Sequence, residues 1–415
     1  MRSILANRAF VLLWCAGLFS QLTWWMLHTA MLVLVFERTG SAFGTGLIPV
    51  FSALPTVLLG ALAGRIVDAY DRRRVMQRGA LVLVALLLVA LPFADAAPAF
   101  GLYAFIAVQS AVMTVMTPAE NALLPALVES AHLKTANALN VLNDGIGRIV
   151  GPAIGAPLLV AFGPRALVVV SLGLTAVTWG LLTTMGASGL SASPMEAQPG
   201  RPIAWRRPGI GASFREQAAM ARRIVLVGGP LAVAVGAFTL YMVADVPFSA
   251  IVPAFFTDSL HASTEEFGFM LSLRGVAGIL GGVLIVSAAR RIQATTLLVG
   301  GLLTYGFAIG AQGIINSFWP GLWFLVLVGP AAAAIQTGMN TLLQEASPDR
   351  ERGRVFALVG VLAGIVTIAM SFSAGALADM IGTRPIVVAS GLLQILPAML
   401  ILRRFPRQDV APKVV

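Results

Sequence analysis

The sequence has little charge and very few lysines, and each shortage excludes a class of protein. Only 11% of its 415 residues are charged, whereas a soluble globular protein carries roughly a quarter of its residues as charged ones. Intrinsic disorder is excluded for the same reason, because disordered chains are polar and rich in charge. Neither Lys134 nor Lys413 follows a glycine, so the phosphate-binding pattern GxxxxGK[ST] is absent and we expect no ATP site.

Cysteine and histidine are equally scarce. The single Cys15 cannot form a disulfide within the chain,. The three histidines, His28, His132 and His261, are scattered and lack the spacing of metal ligands,. We therefore predict no metal site, no cofactor and no enzymatic activity. If the protein does work across a membrane, the energy must come from a gradient or from a partner.

Apolar residues make up 58% of the chain, and they occur in continuous runs rather than in the alternation of a transmembrane β-barrel. A helical membrane span needs roughly 20 residues. We therefore expect an all-α membrane protein with twelve transmembrane helices in two six-helix bundles. The approximate spans are 8–35, 42–64, 76–94, 99–127, 135–161, 164–186, 223–256, 264–288, 294–315, 319–344, 355–378 and 384–402.

The positive charges predict the orientation of these spans. If the N-terminus is cytoplasmic, 23 of the 28 lysines and arginines lie on the inner side, and Arg38, Arg165 and Arg384 lie outside. This asymmetry follows the positive-inside rule, so both termini are predicted to be cytoplasmic. The net charge of +10 is then a signal of topology, and we expect no nucleic-acid partner.

A polar stretch between Gly186 and Arg223 divides the spans six and six. It begins as a flexible linker rich in Ser, Ala and Gly,, and its last part can form a short helix on the inner membrane surface. We predict an N-terminal six-helix bundle at 1–187, a cytoplasmic linker at 188–221, a C-terminal six-helix bundle at 222–404 and a cytoplasmic tail at 405–415.

The pattern GxxxD occurs at the ends of two spans. Gly64 and Asp68 close the second span on the inner side, and Gly375 and Asp379 close the eleventh on the outer side. Nested inverted repeats would leave such a pair at opposite faces of the membrane. Two matches of a five-residue pattern can also arise by chance.

The inner GxxxD precedes a run of arginines, which can be a plain positively charged loop. The segment resembles the loop motif GxxxD-(R/K)-x-G-(R/K)-(R/K) of the major facilitator superfamily, from which it departs at Ala69 and Asp71. The resemblance implies the two-bundle fold of that superfamily. It also implies that Asp68 and the arginines latch the two bundles on the cytoplasmic side in the outward-open state. The matching residues are Gly64, Asp68, Arg72 and Arg73.

Span five carries a glycine at every fourth position, which leaves one helix face smooth and lets another helix approach closely. A generic packing stripe is one interpretation. The segment also resembles the superfamily's antiporter motif GxxxGPxxGG, with Ala156 in place of the last glycine, and this implies an exporter. It further implies a tight contact between spans five and eight, at Gly278, Gly281 and Gly282. The motif residues are Gly147, Gly151, Pro152 and Gly155.

Several ionisable residues lie within the predicted spans, where charge is costly and often functional. Asp144 and Arg148 are four residues apart on one helix face. They can form a structural ion pair, or Asp144 can exchange protons while Arg148 restrains its pKa. Glu120 lies at similar depth, or near the inner headgroups. Asp245 and Arg274 can pair between neighbouring spans. The three carboxylates are our candidates for proton coupling, and the two arginines are their charge partners.

Polar and aromatic side chains near mid-depth are candidates for a substrate cavity, because an apolar cavity with few polar anchors suits bulky amphipathic ligands. His28 can titrate near neutral pH or serve as a hydrogen-bonded packing residue. The cavity candidates are Gln21, Trp25, His28, Gln109, Gln336 and Asn340.

Residues 117–128 and 343–356 resemble the macrolide-efflux and enterobactin-exporter branch of the drug:proton antiporters. The resemblance implies a monomer in the bacterial inner membrane that exports a hydrophobic or amphipathic small molecule by alternating access, driven by protons. The small molecule, protons and the lipid bilayer are then its partners. The alternatives are a metabolite importer or uniporter of the same fold, and a membrane receptor or assembly partner that does not transport.

Overall fold

The computed structural model describes residues 6–129, 132–185, 210–289, 292–348 and 352–404, and every regular element in them is helical. The predicted all-α fold class is confirmed for this part of the chain. We number the α-helices as α1 Arg8–Thr39, α2 Ala42–Ala69, α3 Arg72–Ala90, α4 Ala99–Leu127, α5 Leu133–Thr184, α6 Ile210–Val227, α7 Gly229–Ala254, α8 Thr264–Ala289, α9 Ala294–Ile314, α10 Phe318–Ala346, α11 Arg352–Ile381, α12 Thr383–Leu393 and α13 Ile395–Arg404.

Each predicted span falls on described helix, and ten helical stretches are long and apolar enough to cross a membrane. One of these stretches, within α5, covers two predicted spans. It is broken at Gly163, whose φ of 79° and ψ of 177° are not helical. Pro164 follows directly, and proline suits the first turn of the helix that resumes there. The number of transmembrane spans stays a prediction of twelve.

The seventh span begins later than we predicted. Residues 210–227 form α6, a separate helix with arginines on its surface, and α7 begins only at Gly229. Gly228 and Gly229 have φ values of 68° and 82°, a left-handed conformation that glycine adopts without strain. The break separates α6, for which we predicted a place on the inner membrane surface, from the longer apolar helix α7.

The chain forms two compact units. The first consists of Met1–Leu34 and Phe51–Glu216, and the second of Val35–Val50 and Gln217–Val415. The end of α1 and the beginning of α2 therefore belong to the second unit. Much of the predicted linker at 188–221, and the whole tail at 405–415, lie outside the described residues, so the predicted domain boundaries stay a prediction.

The core of the first unit lies where α1, α3, α4 and the end of α5 meet. Its buried members include Phe10, Met76, Leu124 and Leu182, each at most 2% exposed. Apolar contacts of this kind cannot by themselves drive helices together in lipid, so close fit matters more than in a soluble protein. The polar side chains described below lie within this packed framework.

Candidate functional site

An ion pair lies in the first half of α5. Arg148 donates from Nη2 to Oδ2 of Asp144 at 3.1 Å, as their spacing of four residues predicted. Asp144 is about 16 Å along the helix from Leu133, which is near the middle of a hydrocarbon core roughly 30 Å thick. The Asp144 and Arg148 side chains are nevertheless 42% and 50% exposed.

Trp25 of α1 contacts both members of this pair. Its indole Nε1 donates to Oδ1 of Asp144 at 3.1 Å, and the Arg148 guanidinium carbon lies 4.8 Å from the centre of its ring. The hydrogen bond orients the carboxylate, and the ring face attracts the cation. Trp25, Asp144 and Arg148 thus form one connected cluster, which we call the ion-pair site.

The glycines of α5 bring α1 close enough for these contacts. A Cβ atom on Gly151 would lie 2.8 Å from the Cβ atom of Trp25 and 2.9 Å from the main-chain nitrogen of Met26. Gly147 and Gly155 meet Gln21 and Met26 in the same way. The packing face predicted for these glycines is present, and the partner is α1. The contact with span eight that the resemblance implied would join the two units, and it stays a prediction.

The glycines of span eight have their own partners in the second unit. A Cβ atom on Gly281 would lie 2.5 Å from the Cα atom of Pro330, and one on Gly329 would lie 2.5 Å from the main-chain nitrogen of Gly278. Both contacts join α8 to α10. No described heavy atom lies within 4 Å of the Cβ position of Gly282.

Aromatic rings surround His28 on α1. Its imidazole stacks on Trp24 at a centroid distance of 5.7 Å and meets Trp25 edge-on at 6.0 Å. Its buried Nδ1 atom has no hydrogen-bond partner among the described residues. His28 therefore lies next to the ion-pair site through Trp25, and the hydrogen bond considered for it as a packing residue is absent at Nδ1 in that part of the chain.

Glu120 of α4 lies against α1. A Cβ atom added to Gly17 would overlap its Oε1 atom and would lie 3.0 Å from Nδ2 of Asn143. That amide donates to the carbonyl oxygen of Trp14 at 2.9 Å. Glu120 therefore sits among α1, α4 and α5, where no side chain larger than glycine fits opposite it. Its depth in the membrane, within the span or near the inner headgroups, stays a prediction.

Asp245 of α7 has a partner that the sequence did not suggest. The hydroxyl of Tyr305 donates to Oδ1 of Asp245 at 2.6 Å, and Oγ of Ser249 lies 3.5 Å from Oδ2. Arg274 also interacts electrostatically with the Tyr305 hydroxyl, so the predicted neighbours do come together around a tyrosine. Tyr305 is 3% exposed, and a buried tyrosine hydroxyl usually finds a hydrogen-bond partner, but the sequence alone did not report this burial.

The remaining cavity candidates differ in their surroundings. Gln109 is only 3% exposed, and its buried Oε1 has no partner among the described residues. Gln336 is exposed, whereas Gln21 and Asn340 are half-buried. These four side chains do not form a hydrogen-bonded group with the ion-pair site in the described residues, so their assignment to a cavity stays a prediction.

The arginines of the inner loop hold helix ends within the first unit. Arg72 donates to the carbonyl oxygen of Ala122 at 2.8 Å, and Arg73 donates to those of Leu182 and Thr183 at 3.1 and 2.8 Å. Cations at the C-terminal ends of helices satisfy free carbonyls and oppose the helix dipole. Their described contacts are therefore within a bundle, where the resemblance implied a latch between bundles.

The two motif residues before the arginines are less informative. The side chain of Asp68 lies outside the described residues, and Gly64 has no described heavy atom within 4 Å of its Cβ position. Asp71, which replaces the glycine of the motif, accepts a hydrogen bond from the main-chain nitrogen of Arg74 at 2.8 Å. It caps the first turn of α3, which gives this departure from the motif a structural reason.

The ion-pair site combines a charge pair with an aromatic ring. A charge at mid-membrane is tolerated where it faces water or a partner, and Asp144 has both a partner and exposed surface. Among the described residues, no group of three or more His, Cys, Asp or Glu side chains could hold a metal ion. The chemistry that this arrangement offers is reversible charge pairing beside an aromatic surface.

Known proteins resemble this chain over almost its whole length. The sequence model of a family described as transmembrane secretion effector matches residues 2–413. Macrolide efflux protein A of Streptococcus pyogenes is 26% identical over 408 residues, which cover 92% of this chain and 93% of that protein. Multidrug efflux pump Tap of Mycolicibacterium fortuitum is 26% identical over 392 residues, or 92% of each chain.

A solved structure shares the fold. The crystal structure of a D-xylose–proton symporter aligns with a TM-score of 0.72 over 96% of this chain and 98% of that one, at 15% sequence identity. An identity this low carries the architecture alone.

Proposed function

Since the chain belongs to the major facilitator superfamily, as a member of the transmembrane secretion effector family, we propose that this transporter exports a hydrophobic or amphipathic small molecule in exchange for protons. The names of two relatives, a macrolide efflux protein and a multidrug efflux pump, support export as the direction of transport and support the broad substrate class. Alternating access is the mechanism that we propose, with the bacterial inner membrane as the location and a monomer as the working form.

One observation carries the proposal. Asp144 and Arg148 pair within the predicted fifth span and yet keep 42% and 50% of their side-chain surface exposed. Lipid would penalise such exposure heavily, so we infer that this surface opens onto a water-filled crevice. A carboxylate in that position can meet protons arriving from the aqueous phase.

The proposed coupling follows from what each residue of the ion-pair site does. While Asp144 is ionised, Arg148 and the Trp25 indole both hold it. We propose that the ligand binds against the ionised Asp144 and the face of the Trp25 indole. Protonation of Asp144 removes the charge that holds Arg148 and the ligand there, so the ligand is released. Protons and ligand would thus compete for the same three side chains, as exchange requires.

Two further carboxylates extend this proposal. Glu120 lies between helices of the first unit, and Asp245 is bonded to Tyr305 in the second. Both can hold a proton away from bulk water. We assign them secondary roles because the exposed ion pair is the better placed to meet the aqueous phase.

The test uses purified protein in proteoliposomes with an imposed proton gradient, and ethidium and erythromycin as probes. We expect gradient-driven probe movement that a protonophore abolishes. Asp144→Asn keeps the size of the side chain and an acceptor for Trp25 but cannot exchange a proton, so we expect coupled transport to fall at least about tenfold.

The matched control is Asp95→Asn, which removes an exposed carboxylate paired with Arg165 at 3.2 Å. This variant should transport normally, and both variants should elute as folded protein. Coupled transport that survives in Asp144→Asn would remove Asp144 from the mechanism. Import of a metabolite without any export of the probes would favour the importer. No movement of any compound would favour the non-transporting receptor.

A further inference from the structure

The C-terminal end of α11 caps the N-terminal end of α2. Oδ1 of Asp379 accepts a hydrogen bond from the main-chain nitrogen of Ala42 at 2.8 Å, and Oδ2 accepts one from Oγ of Ser41 at 2.6 Å. The main-chain nitrogen of Phe43 lies 3.4 Å from both oxygens. The first N–H groups of a helix lack partners and carry partial positive charge, so this carboxylate satisfies donors and dipole together.

Two glycines bring the helices into direct contact beside this cap. A Cβ atom on Gly375 would lie 2.8 Å from the Cα atom of Phe43, and one on Gly46 would lie 2.7 Å from the carbonyl oxygen of Ser371. The rings of Phe43 and Phe372 meet edge to face with centroids 5.2 Å apart. The cap is therefore one part of a closely fitted contact, which lies within the second unit.

The helix that is capped spans the boundary between the two units. Residues 42–50 of α2 belong to the second unit, and residues 51–69 belong to the first. Any movement of one unit against the other must therefore release the beginning of α2 from α11 or bend α2 itself. A contact in this position controls whether the movement can occur.

The other GxxxD, at the opposite end of α2, is in a different condition. Gly375 is in contact with main-chain atoms of α2, whereas Gly64 has no described heavy atom within 4 Å of its Cβ position. Among the described residues, the glycine of this short pattern is thus packed at the beginning of α2 and not covered near its end. Two equivalent contacts that alternate would give this asymmetry in any single state.

We propose that Gly375 and Asp379, with Ser41, Ala42 and Phe43, form an outer latch that holds α2 to α11 and opens before substrate can leave to the outside. The proposal deepens the proposed transport function and uses its orientation, in which the end of α11 is extracellular. It assigns to the GxxxD at 375–379 a gating role, with Asp379 as a positioning residue that touches neither substrate nor proton.

The test measures the distance between the outer ends of the two units with spin labels. Cys15→Ser removes the single native thiol, and Ala96→Cys and Ser317→Cys place labels at exposed outer positions of the first and second unit. In detergent, without substrate or gradient, Asp379→Asn should raise the ratio of long to short distances about two- to fivefold, since an amide oxygen can still cap the helix but the negative charge at its N-terminus is lost.

Matched controls separate the latch from general damage. Glu266→Gln removes another capping carboxylate, which accepts from the main-chain nitrogen of Ser263 at 2.9 Å within the same short segment, and it should leave the distances unchanged. Gly375→Ala should act as Asp379→Asn does, because its new methyl group meets Phe43. Gly360→Ala, on the same helix with open space around it, should not.

The measured distances decide whether the outer latch exists. Unchanged distances in both Asp379→Asn and Gly375→Ala, or equal shifts in the two control variants, would overturn it. If Asp379→Asn does not fold, Ser41→Ala removes the hydroxyl's bonds to Asp379 and to the main-chain nitrogen of Gly44, and it should also raise the ratio of long to short distances, by about two- to fivefold. Probe transport in proteoliposomes is measured separately, so failure of the export proposal would be seen without any change in these distances.

Discussion

The side chains of Asp144 and Asp245 are stabilised by different kinds of donor. Asp144 meets a guanidinium and an indole N–H, and it keeps 42% of its side-chain surface exposed. Asp245 meets the hydroxyl of Tyr305, which is itself 3% exposed. The exposed and charged Arg148 can be replaced by water or ligand, whereas the buried hydroxyl of Tyr305 cannot move away into solvent. The two carboxylates therefore differ in how readily these particular partners can be replaced.

The bond between Tyr305 and Asp245 gives a prediction about stability. Tyr305→Phe removes the donor at 2.6 Å and leaves a partly buried carboxylate with one partner fewer. We expect the free energy of unfolding, measured by denaturant titration in mixed micelles, to fall by about 1–3 kcal/mol. Tyr70→Phe is the control, because Tyr70 is 61% exposed and should lose nothing measurable. Equal stability of both variants would contradict the stabilising role of this bond.

The sequence could predict some of these contacts and not others. Asp144 and Arg148 were predictable because four residues of helix place two side chains on one face. Tyr305 is 60 residues from Asp245, and only the packing of α9 against α7 brings them together. Nothing in a single sequence reports which way a uniformly apolar helix faces, because lipid and protein interior have the same polarity. The same reasoning explains why the sequence did not indicate α1 as a partner of the α5 glycines.

At the scale of helices, glycine determines where helices approach each other. On α5 the glycines at 147, 151 and 155 meet main-chain atoms of α1, and on α11 Gly375 meets main-chain atoms of α2. Glycines elsewhere in the same helices, such as Gly145 and Gly360, face open space. The close approach of α1 to α5 has a functional consequence, because it delivers Trp25 to Asp144.

This contact between α1 and α5 is testable with one methyl group. Gly151→Ala places a Cβ atom 2.8 Å from that of Trp25, so the helices must separate and the indole must move away from Asp144. We expect about 1–3 kcal/mol of destabilisation and a change in tryptophan fluorescence. Gly145→Ala, on the same helix with nothing within 4 Å, should be neutral or slightly stabilising, since alanine favours helix. A stable Gly151→Ala variant with unchanged fluorescence would refute the importance of close packing here.

At the scale of the whole molecule, composition predicted the architecture well. Long apolar runs can satisfy their backbone in lipid only as helices or closed barrels, so continuous runs of about 20 residues left a helical bundle as the sole solution. The boundary between units was harder to predict. The end of α1 and the beginning of α2 belong to the second unit, because contacts with α11 outweigh chain connectivity there.

The positions of the arginines predict the orientation of the chain in the membrane. Two of the three predicted outer arginines make specific loop contacts, since Arg165 pairs with Asp95 and Arg384 donates to Asn316 and to the carbonyl oxygen of Ser259. Such local uses explain exceptions to a rule that places 23 of 28 positive residues inside,. Tags on either terminus should therefore resist protease in intact cells and become cleavable after permeabilisation. As a control, the same tag inserted after Ala96 should be cleaved in intact cells. Termini on opposite faces would require an odd number of spans, and neither the six-and-six division nor an extracellular position for Asp379 would then hold.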